Sequence, residues 1–334
     1  MPKGFKICLA CSGGGHLRQI LLLADLYHDC DHFFVTQATP LAESIQKEHR
    51  VHFVGDVALG LLKKSPGMWR AFFRNLVECF RIYWRERPDV VLSTGAGAVL
   101  NLLWIARLSG SKVIFLETFA HAQTPSLTGR MIAPIAQAHL VQWESLQKKY
   151  PRATVASPLV ETGKHLRLKA PLPHRILVTV GTHGPFDRLI REVERLIDCG
   201  VIQCPVTAQV GPGGYRSDRM ECLESCHQEK MQELLQEAGT VITHAGTGSI
   251  LSGLQAGCKV IAIARSAAQG EHYDDHQLEI LEEMRSRKAI LGGGDPGLLE
   301  GLYRQVDAFT PMEVLISPEP ILQKLREIFT GWFK

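Results

Sequence analysis

Short runs of β-branched and apolar residues alternate along the chain with stretches whose apolar positions recur every three or four residues. In the first half the runs are KICLAC, HFFVT, DVVLST, KVIFLE and AHLVQW, with helices predicted between them, the first from about Gly15. The second half repeats the plan with RILVTVGT, PVTAQV, TVITHAG and KVIAIA, and with helices from Pro185 and from about Gly248. Alternation of this kind predicts parallel sheets with helices on both faces, and so two α/β domains. Residues 157–174, SPLVETGKHLRLKAPLPH, contain three prolines and no clear period. That stretch reads as a linker and puts the boundary near residue 165, with domains over 1–165 and 166–334.

One predicted helix has a second character. Trp69, Phe72, Phe73, Leu76, Phe80, Tyr83 and Trp84 recur at spacings of three and four, and Arg70, Arg74, Arg81 and Arg85 form a parallel stripe one position along. Between Val57 and Arg87 seven basic residues, Lys63 and Lys64 among them, stand against two acidic ones. Such a helix can lie in an anionic membrane interface, aromatic rings among the headgroups and arginines on lipid phosphates. It can equally pack on the first sheet with its arginines solvated, and spacing alone leaves the two even. No stretch reaches the roughly 18 to 20 apolar residues of a membrane span. The N-terminal MPKGFKICLACSGGGH runs into glycines too soon for a signal peptide and reads as a first strand.

Composition narrows the classes. A chain of 334 residues, 45% hydrophobic and 21% charged, suits two folded globular domains. A net charge of +3 is too weak for a nucleic-acid binder. The nine cysteines are an odd number scattered without two CxxC motifs to pair, and read as free thiols of a reducing cytoplasm, Cys222 and Cys226 as ordinary buried ones.

The candidate chemistry sits in glycine turns between strand and helix. CSGGGH, with Ser12, Gly13, Gly14, Gly15 and His16, turns sharply and lets an anion approach the N–H groups of a helix start. It is neither a dinucleotide fingerprint, since Gln37 and Ala38 follow the second strand where an acid belongs, nor a P-loop. The second half carries two such turns, VTVGTHGPFD and ITHAGTGS, whose N–H groups with Thr247 and Ser249 can hold a diphosphate. A helix dipole there would offset the charge of the diphosphate in place of a metal. GEHYDDHQLEI offers Glu271, His272, Asp274, Asp275 and Gln277 for sugar and ribose hydroxyls, or a solvated helix start capped by its aspartates. His272 and His276 are four apart, but no HExxH accompanies them, and no metal is expected.

Taken together, SGGGH, STGA (Ser93–Ala96, with Thr94 and Gly95), VTVGTHGPFDRLI, THAGTGS and GEHYDDHQLEI resemble bacterial exopolysaccharide glycosyltransferases that fuse both halves of the dolichol-pathway GlcNAc transferase, with a family 28 type C-terminal half. Within that group the chain looks most like sphingan-type glucuronosyltransferases, which extend a glucosyl diphospho-polyprenol. The resemblance implies a GT-B fold, two Rossmann-like domains facing across a cleft. The final stretch, PEPILQKLREIFTGWFK, reads as an amphipathic helix beginning after prolines, and in two-domain transferases of this shape such a helix often crosses back to the first domain. The donor would sit on the second domain, with Gly181, Thr182, Gly246, Thr247, Gly248 and Ser249 at the diphosphate and Glu271, His272, Asp274, Asp275 and Gln277 at sugar and ribose. Ser12, Gly13, Gly14, Gly15, Thr94 and Gly95 would meet the acceptor and its phosphates. Arg265 could pair with a glucuronate carboxylate, hold the diphosphate or cap its strand.

The implied activity is inverting, metal-independent and cofactor-free transfer, with UDP-glucuronate as the best donor and GlcNAc, glucose or galactose as alternatives. The acceptor would be a polyprenyl-diphosphate-linked glucose at the inner face of the plasma membrane, in exopolysaccharide or capsule assembly, and the membrane reading of Trp69, Arg70, Phe72, Phe73, Arg74, Arg81 and Trp84 gains from this. Inversion needs a base on the acceptor hydroxyl. Glu117, ending KVIFLE, matches the acid of the family's E-S-x-x-R pattern and is preferred to His16, although Thr118 and His121 stand where serine and arginine are usual. A non-hydrolysing UDP-sugar epimerase and a silent recruiting subunit are the competing functions.

Overall fold

The computed structural model describes residues 4–55, 57, 67–181, 184–272 and 275–333. Lys63, Lys64, Thr182 and Asp274 lie outside them. The chain divides into two compact units, Met1–Pro158 with Ile316–Lys334, and Leu159–Leu315.

The first unit runs β1 (Lys6–Cys11), α1 (Gly15–Leu21), α2 (Ala24–Tyr27), β2 (Asp31–Thr36), α3 (Pro40–Ile45), β3 (Val51–Phe53), α4 (Met68–Glu86), β4 (Val90–Gly95), α5 (Leu100–Leu108), β5 (Lys112–Leu116), α6 (Leu127–Ile132), β6 (Ala138–Val141), α7 (Glu144–Gln147) and β7 (Thr154–Val155). Its seven strands form a parallel sheet in the order β3-β2-β1-β4-β5-β6-β7. Because successive side chains of a strand point to opposite faces, β1 feeds two cores. Ile7 and Leu9 join Leu17, Ile20 and Phe34 on one face. Cys8 and Ala10 join Phe33, Val35, Cys79, Leu102 and Leu103 on the other. The C-terminal helix, Glu319–Trp332, packs into the first of these cores through Leu322, Leu325 and Phe329. Phe329 is fully buried and stacks on Phe5 with ring centroids 5.3 Å apart, a contact worth about 2 kcal/mol in burial alone.

The second unit contains β8 (Leu159–His165), β9 (Ile176–Thr179), α8 (Asp187–Asp198), β10 (Val206–Gln209), β11 (Glu221–Leu223), α9 (Gln228–Glu237), β12 (Thr240–Thr243), α10 (Thr247–Gln255), β13 (Lys259–Ile263), α11 (His276–Ser286), β14 (Leu291–Gly293), α12 (Leu299–Arg304) and β15 (Met312–Ile316); the C-terminal helix is then α13. Its six-stranded sheet has the order β11-β10-β9-β12-β13-β14, with parallel pairing throughout. Leu189, Ile190, Val193 and Leu196 of α8, at helical spacing, close the core over Ile176 and Val178. The proline-bearing segment that reads as a linker contains β8, which pairs with β15. Most of β8 is exposed, so it has no apolar alternation by which to be recognised.

Helix α4 inverts the usual arrangement. Asn75, Cys79, Tyr83 and Glu86 are its buried residues, whereas Trp69, Phe73, Phe80 and Trp84 are 63%, 57%, 52% and 49% exposed. Polar bonds hold the inner face: Asn75 Nδ2 donates to the carbonyls of Gly55 at 2.6 Å and Ala98 at 2.8 Å, and the Tyr83 hydroxyl meets Ser111 Oγ at 2.8 Å. At the helix end the Glu86 carboxylate, 6% exposed, takes His52 Nε2 at 2.9 Å and lies 3.4 Å from Lys6 Nζ and 3.6 Å from Arg50. Of the aromatic stripe, the helix leaves Trp69, Phe73, Phe80 and Trp84 to solvent, while Phe72 and Leu76 are half-buried and Tyr83 is buried. Cys222 and Cys226, expected to be buried, are both half-exposed, and all nine cysteines are free.

Candidate sites at two topological switch points

In an open parallel sheet the crevice for ligands lies at the carboxyl ends of the strands, where the strand order reverses. In the first sheet that point falls between β1 and β4, and in the second between β9 and β12. The glycine motifs at the ends of these four strands are CSGGGH, STGA, VGTHGPFD (of which Thr182 and His183 lie outside the described residues) and HAGTGS. Each pair of glycine turns named by the sequence is thus brought together by topology.

In the first unit His16 bridges the switch point. Its Nδ1 lies 2.7 Å from the carbonyl oxygen of Thr94, and the Thr94 hydroxyl donates to the His16 carbonyl at 3.1 Å. A carbonyl only accepts, so Nδ1 carries the proton and Nε2 keeps its lone pair. Burial pushes the imidazole pKa down, with the Thr94 contact opposing, which keeps the ring neutral near pH 7. Of the three glycines, Gly13 is wedged, since a Cβ there would meet Thr39 Cγ2 at 2.5 Å, while a Cβ at Gly14 or Gly15 would meet nothing within 4 Å. Those two leave open backbone for a ligand. Ser12 is half-buried, and Thr94 and Gly95 are buried beneath the turn, Gly95 at φ +99°.

Glu117 lies beyond the end of β5 and is fully buried. Its Oε1 accepts the Thr118 N–H at 3.1 Å, its Oε2 faces the Tyr150 hydroxyl at 3.4 Å, and Ser126 supports it through hydroxyl and backbone. Burial raises its pKa against these hydrogen bonds. Ser126 also caps α6 by accepting the Gly129 N–H at 2.9 Å. A Cβ on Gly129 would collide with Glu117 Oε2, so the glycine makes room for the carboxylate. The carboxylate thereby pins the loop carrying His121, which lies within electrostatic reach of both His16 and Glu117.

In the second unit another histidine, not singled out from the sequence, plays the corresponding part. His244 Nδ1 lies 3.2 Å from the carbonyl of Thr179, at the end of β9. Its ring separates the two turns: a Cβ on Gly181 would stand 2.7 Å from its Cε1 and Nε2, and one on Gly246 would strike Nε2. Gly181 has φ +75°, a second reason for glycine. Thr247 begins α10, whose N-cap Gly246 supplies no side chain, so the first N–H groups of the helix are left to a ligand or water. Gly248 is exposed and Ser249 half-exposed on that first turn.

The acidic segment is more engaged than the sequence suggests. Arg265 is 2% exposed, and its Nη2 donates to the carbonyls of Val180 at 2.7 Å and Gly184 at 2.6 Å. It braces the turn after β9 from beneath. Glu271 is held by Arg188 in a bidentate pair at 2.6 and 3.1 Å and accepts the Ser266 N–H at 3.0 Å. Gln277 is buried and accepts the Arg265 N–H at 3.2 Å. Asp275 does not cap α11 with its side chain but accepts the Ala267 N–H at 2.9 Å. The His272 and His276 rings are edge to face at 4.8 Å, and among the described residues no group of three His, Cys, Asp or Glu side chains could hold a metal ion.

Comparison with known proteins fits this division. Residues 66–159 match the model of the oligosaccharide biosynthesis protein Alg14 like family, and residues 175–288 match the glycosyltransferase family 28 C-terminal domain. The UDP-N-acetylglucosamine transferase subunit ALG14 of Mus musculus is 31% identical over 185 residues, covering 47% of this chain and 84% of that protein. The Schizosaccharomyces pombe subunit alg14 is 34% identical over 90 residues, 25% of this chain and 43% of its own. The ALG13 subunit of Yarrowia lipolytica is 28% identical over 169 residues, covering 46% and 82%. The chain spans about half or less of the length of the fungal Alg14 subunits it matches. Among solved structures, Acinetobacter baumannii MurG has a TM-score of 0.63 at 16% identity over 91% of both chains. UDP-N-acetylglucosamine 2-epimerase of Rickettsia bellii has 0.65 at 10% over 98% and 97%. At these identities the likeness concerns the fold alone, which is of the GT-B type. The chain belongs to the Alg14-like oligosaccharide biosynthesis family, with a glycosyltransferase family 28 C-terminal domain following in the same polypeptide.

Proposed function

We propose that the chain is an inverting glycosyltransferase that takes a sugar from a UDP-sugar held on its second unit and delivers it to a lipid-linked acceptor held on its first. The observation that carries this reading is the pair of open glycine turns at both switch points, one beside a neutral histidine and the other at an uncapped helix start. His16 is the better base: its Nε2 lone pair is unspent, and the Thr94 carbonyl would stabilise the imidazolium that forms when it accepts the acceptor proton. Glu117, sequestered and hydrogen-bonded, is the positioning residue of that loop. On the donor side the α10 N-terminus would receive the β-phosphate as UDP departs.

UDP-GlcNAc is the first donor to consider, because the relatives in both halves are named as UDP-N-acetylglucosamine transferase subunits. UDP-glucuronate, the other donor reading, would need a cation for its carboxylate, and Arg265 already serves two carbonyls. The exposed stripe of α4 supports attachment to an anionic bilayer near a lipid-linked acceptor; no described helix is long and apolar enough to cross a membrane. Incubation with UDP-GlcNAc or UDP-glucuronate and a polyprenyl-diphosphate-linked sugar, in EDTA, tests the proposal by mass spectrometry of the lipid. One added sugar supports it. Conversion of the UDP-sugar to its epimer with no lipid product would move the assignment to an epimerase.

A further inference from the structure

The first unit carries a second concavity, on the outer edge of its sheet. Two cavities of about 550 and 820 Å³ abut there, sharing Ala133, Pro134, Lys149 and Tyr150. The larger reaches β7 and the end of α13, where Trp332 forms part of the wall. Its volume is that of an ordinary small-molecule site. Ala133, Pro134, Ala136 and Ala138 form an apolar part of the wall, and three cations stand around it: Arg130, Lys149 and Arg152. Among the described residues none of the three forms an ion pair, whereas the carboxylate in the lining, Glu327, is paired with Lys324 at 2.8 Å. The concavity is therefore electropositive, with one apolar wall. His139, also in the lining, is kept neutral by burial, its pKa pushed down to about 4, and its Nε2 has no hydrogen-bond partner.

The geometry points to a ligand site for an amphiphilic anion: a phosphate monoester whose charged end rests among Arg130, Lys149 and Arg152 and whose apolar body lies against the alanine and proline wall and Trp332. Tyr150 ties this site to the first switch point. It lines both cavities, its ring lies 4.4 Å from that of His139, and its hydroxyl is the neighbour of Glu117 Oε2. Occupancy would thus be felt at the loop that Glu117 anchors. This inference does not depend on the reaction proposed above.

Hexyl phosphate is a suitable probe, compared with hexanol and inorganic phosphate by calorimetry on the full chain, with hydrogen–deuterium exchange locating the bound ligand. The expected result is saturable binding of hexyl phosphate, at least about tenfold tighter than either fragment, with protection over residues 133–139 and 149–154. The surface variant R130Q/R152Q should weaken it by about tenfold or more through loss of charge-assisted contacts, with an unchanged melting temperature. F73S on α4 should leave it unaltered. Vesicles of anionic phospholipid form the second arm and should protect α4 rather than the groove. Protection only at α4 or at the glycine turns, equal binding by R130Q/R152Q, or no binding of hexyl phosphate would each overturn the proposal.

Discussion

His16 follows β1 and Glu117 follows β5 of one sheet, with β4 between them, and burial acts on the two in opposite directions: it lowers the histidine pKa and raises that of the carboxyl. If His16 is the base, activity requires its neutral form, which exists above its pKa. Because that pKa is lowered, the acid limb of kcat/KM should lie below the ordinary histidine range of about 6.5. H16A should lower kcat by roughly 10²- to 10⁴-fold and abolish that limb. E117Q keeps the shape and the hydrogen-bonding oxygen, and it should lose much less; a loss as great as that of H16A, in steady-state rates across pH, would return the base to Glu117. Gly129→Ala should cost about 1–3 kcal/mol by forcing a Cβ onto the carboxylate, read as a shift in the urea midpoint. At this scale the sequence displayed the residue types but not their states. His16 and Glu117 were both visible as candidates, yet nothing in KVIFLE tells that the final carboxylate faces inward. The part of His244 was likewise hidden inside THAGTGS, because it depends on how near Gly181 and Gly246 come to one imidazole.

Helix α4 was legible as a helix with two stripes, because aromatic and arginine spacings are periodic along the chain. What could not be read is which stripe faces the protein. The inward face is Asn75, Cys79, Tyr83 and Glu86, which takes only Tyr83 from the aromatic stripe and none of the four arginines, and it combines polar bonds with packing on the apolar core. Two predictions belong here. Replacing Trp69, Phe73 and Trp84 together by serine should reduce binding to anionic vesicles without lowering the melting temperature, because these rings are exposed. Sedimentation with vesicles checks it, and raised salt should weaken the wild-type attachment. Glu86 should behave in the opposite way, with no effect on vesicles and a large one on folding. The neighbouring His52, Arg50 and Lys6 hold its carboxyl below the usual carboxylate range against the penalty of burial. A depressed folded pKa means stability present above the unfolded value of about 4.5 and lost as pH falls through the folded one. E86A should therefore cost about 3 kcal/mol at pH 7, and the gap from wild type should narrow in acid, by urea denaturation at both pH values. Strand β8 escaped notice for a related reason: its residues are mostly exposed and its partner β15 lies at the far end of the second unit.

For the molecule as a whole, duplication of the α/β plan was evident because each buried parallel strand is a compact apolar run, and the two sheets differ mainly in length. The strand orders supply what a linear reading lacks, namely which turns become neighbours. They place both histidines and all four glycine turns at the points where connections reverse direction. The C-terminal segment returns to the first unit because Leu322, Leu325 and Phe329 complete a core left open by the first 158 residues. Deleting residues 319–334 should accordingly destabilise the first unit and expose Phe5, seen as increased hydrogen exchange over β1.

Sugar transfer from a UDP-sugar to a polyprenyl-diphosphate-linked sugar tests whether one polypeptide holds both the donor and the acceptor functions. The assay would use the purified chain alone, with EDTA present. One added sugar and one UDP per lipid are expected, with loss of transfer in H16A and retention of UDP binding in that variant. No transfer with any UDP-sugar, with or without added metal and with a range of lipid-linked sugars, would contradict it and leave the chain as a binding subunit.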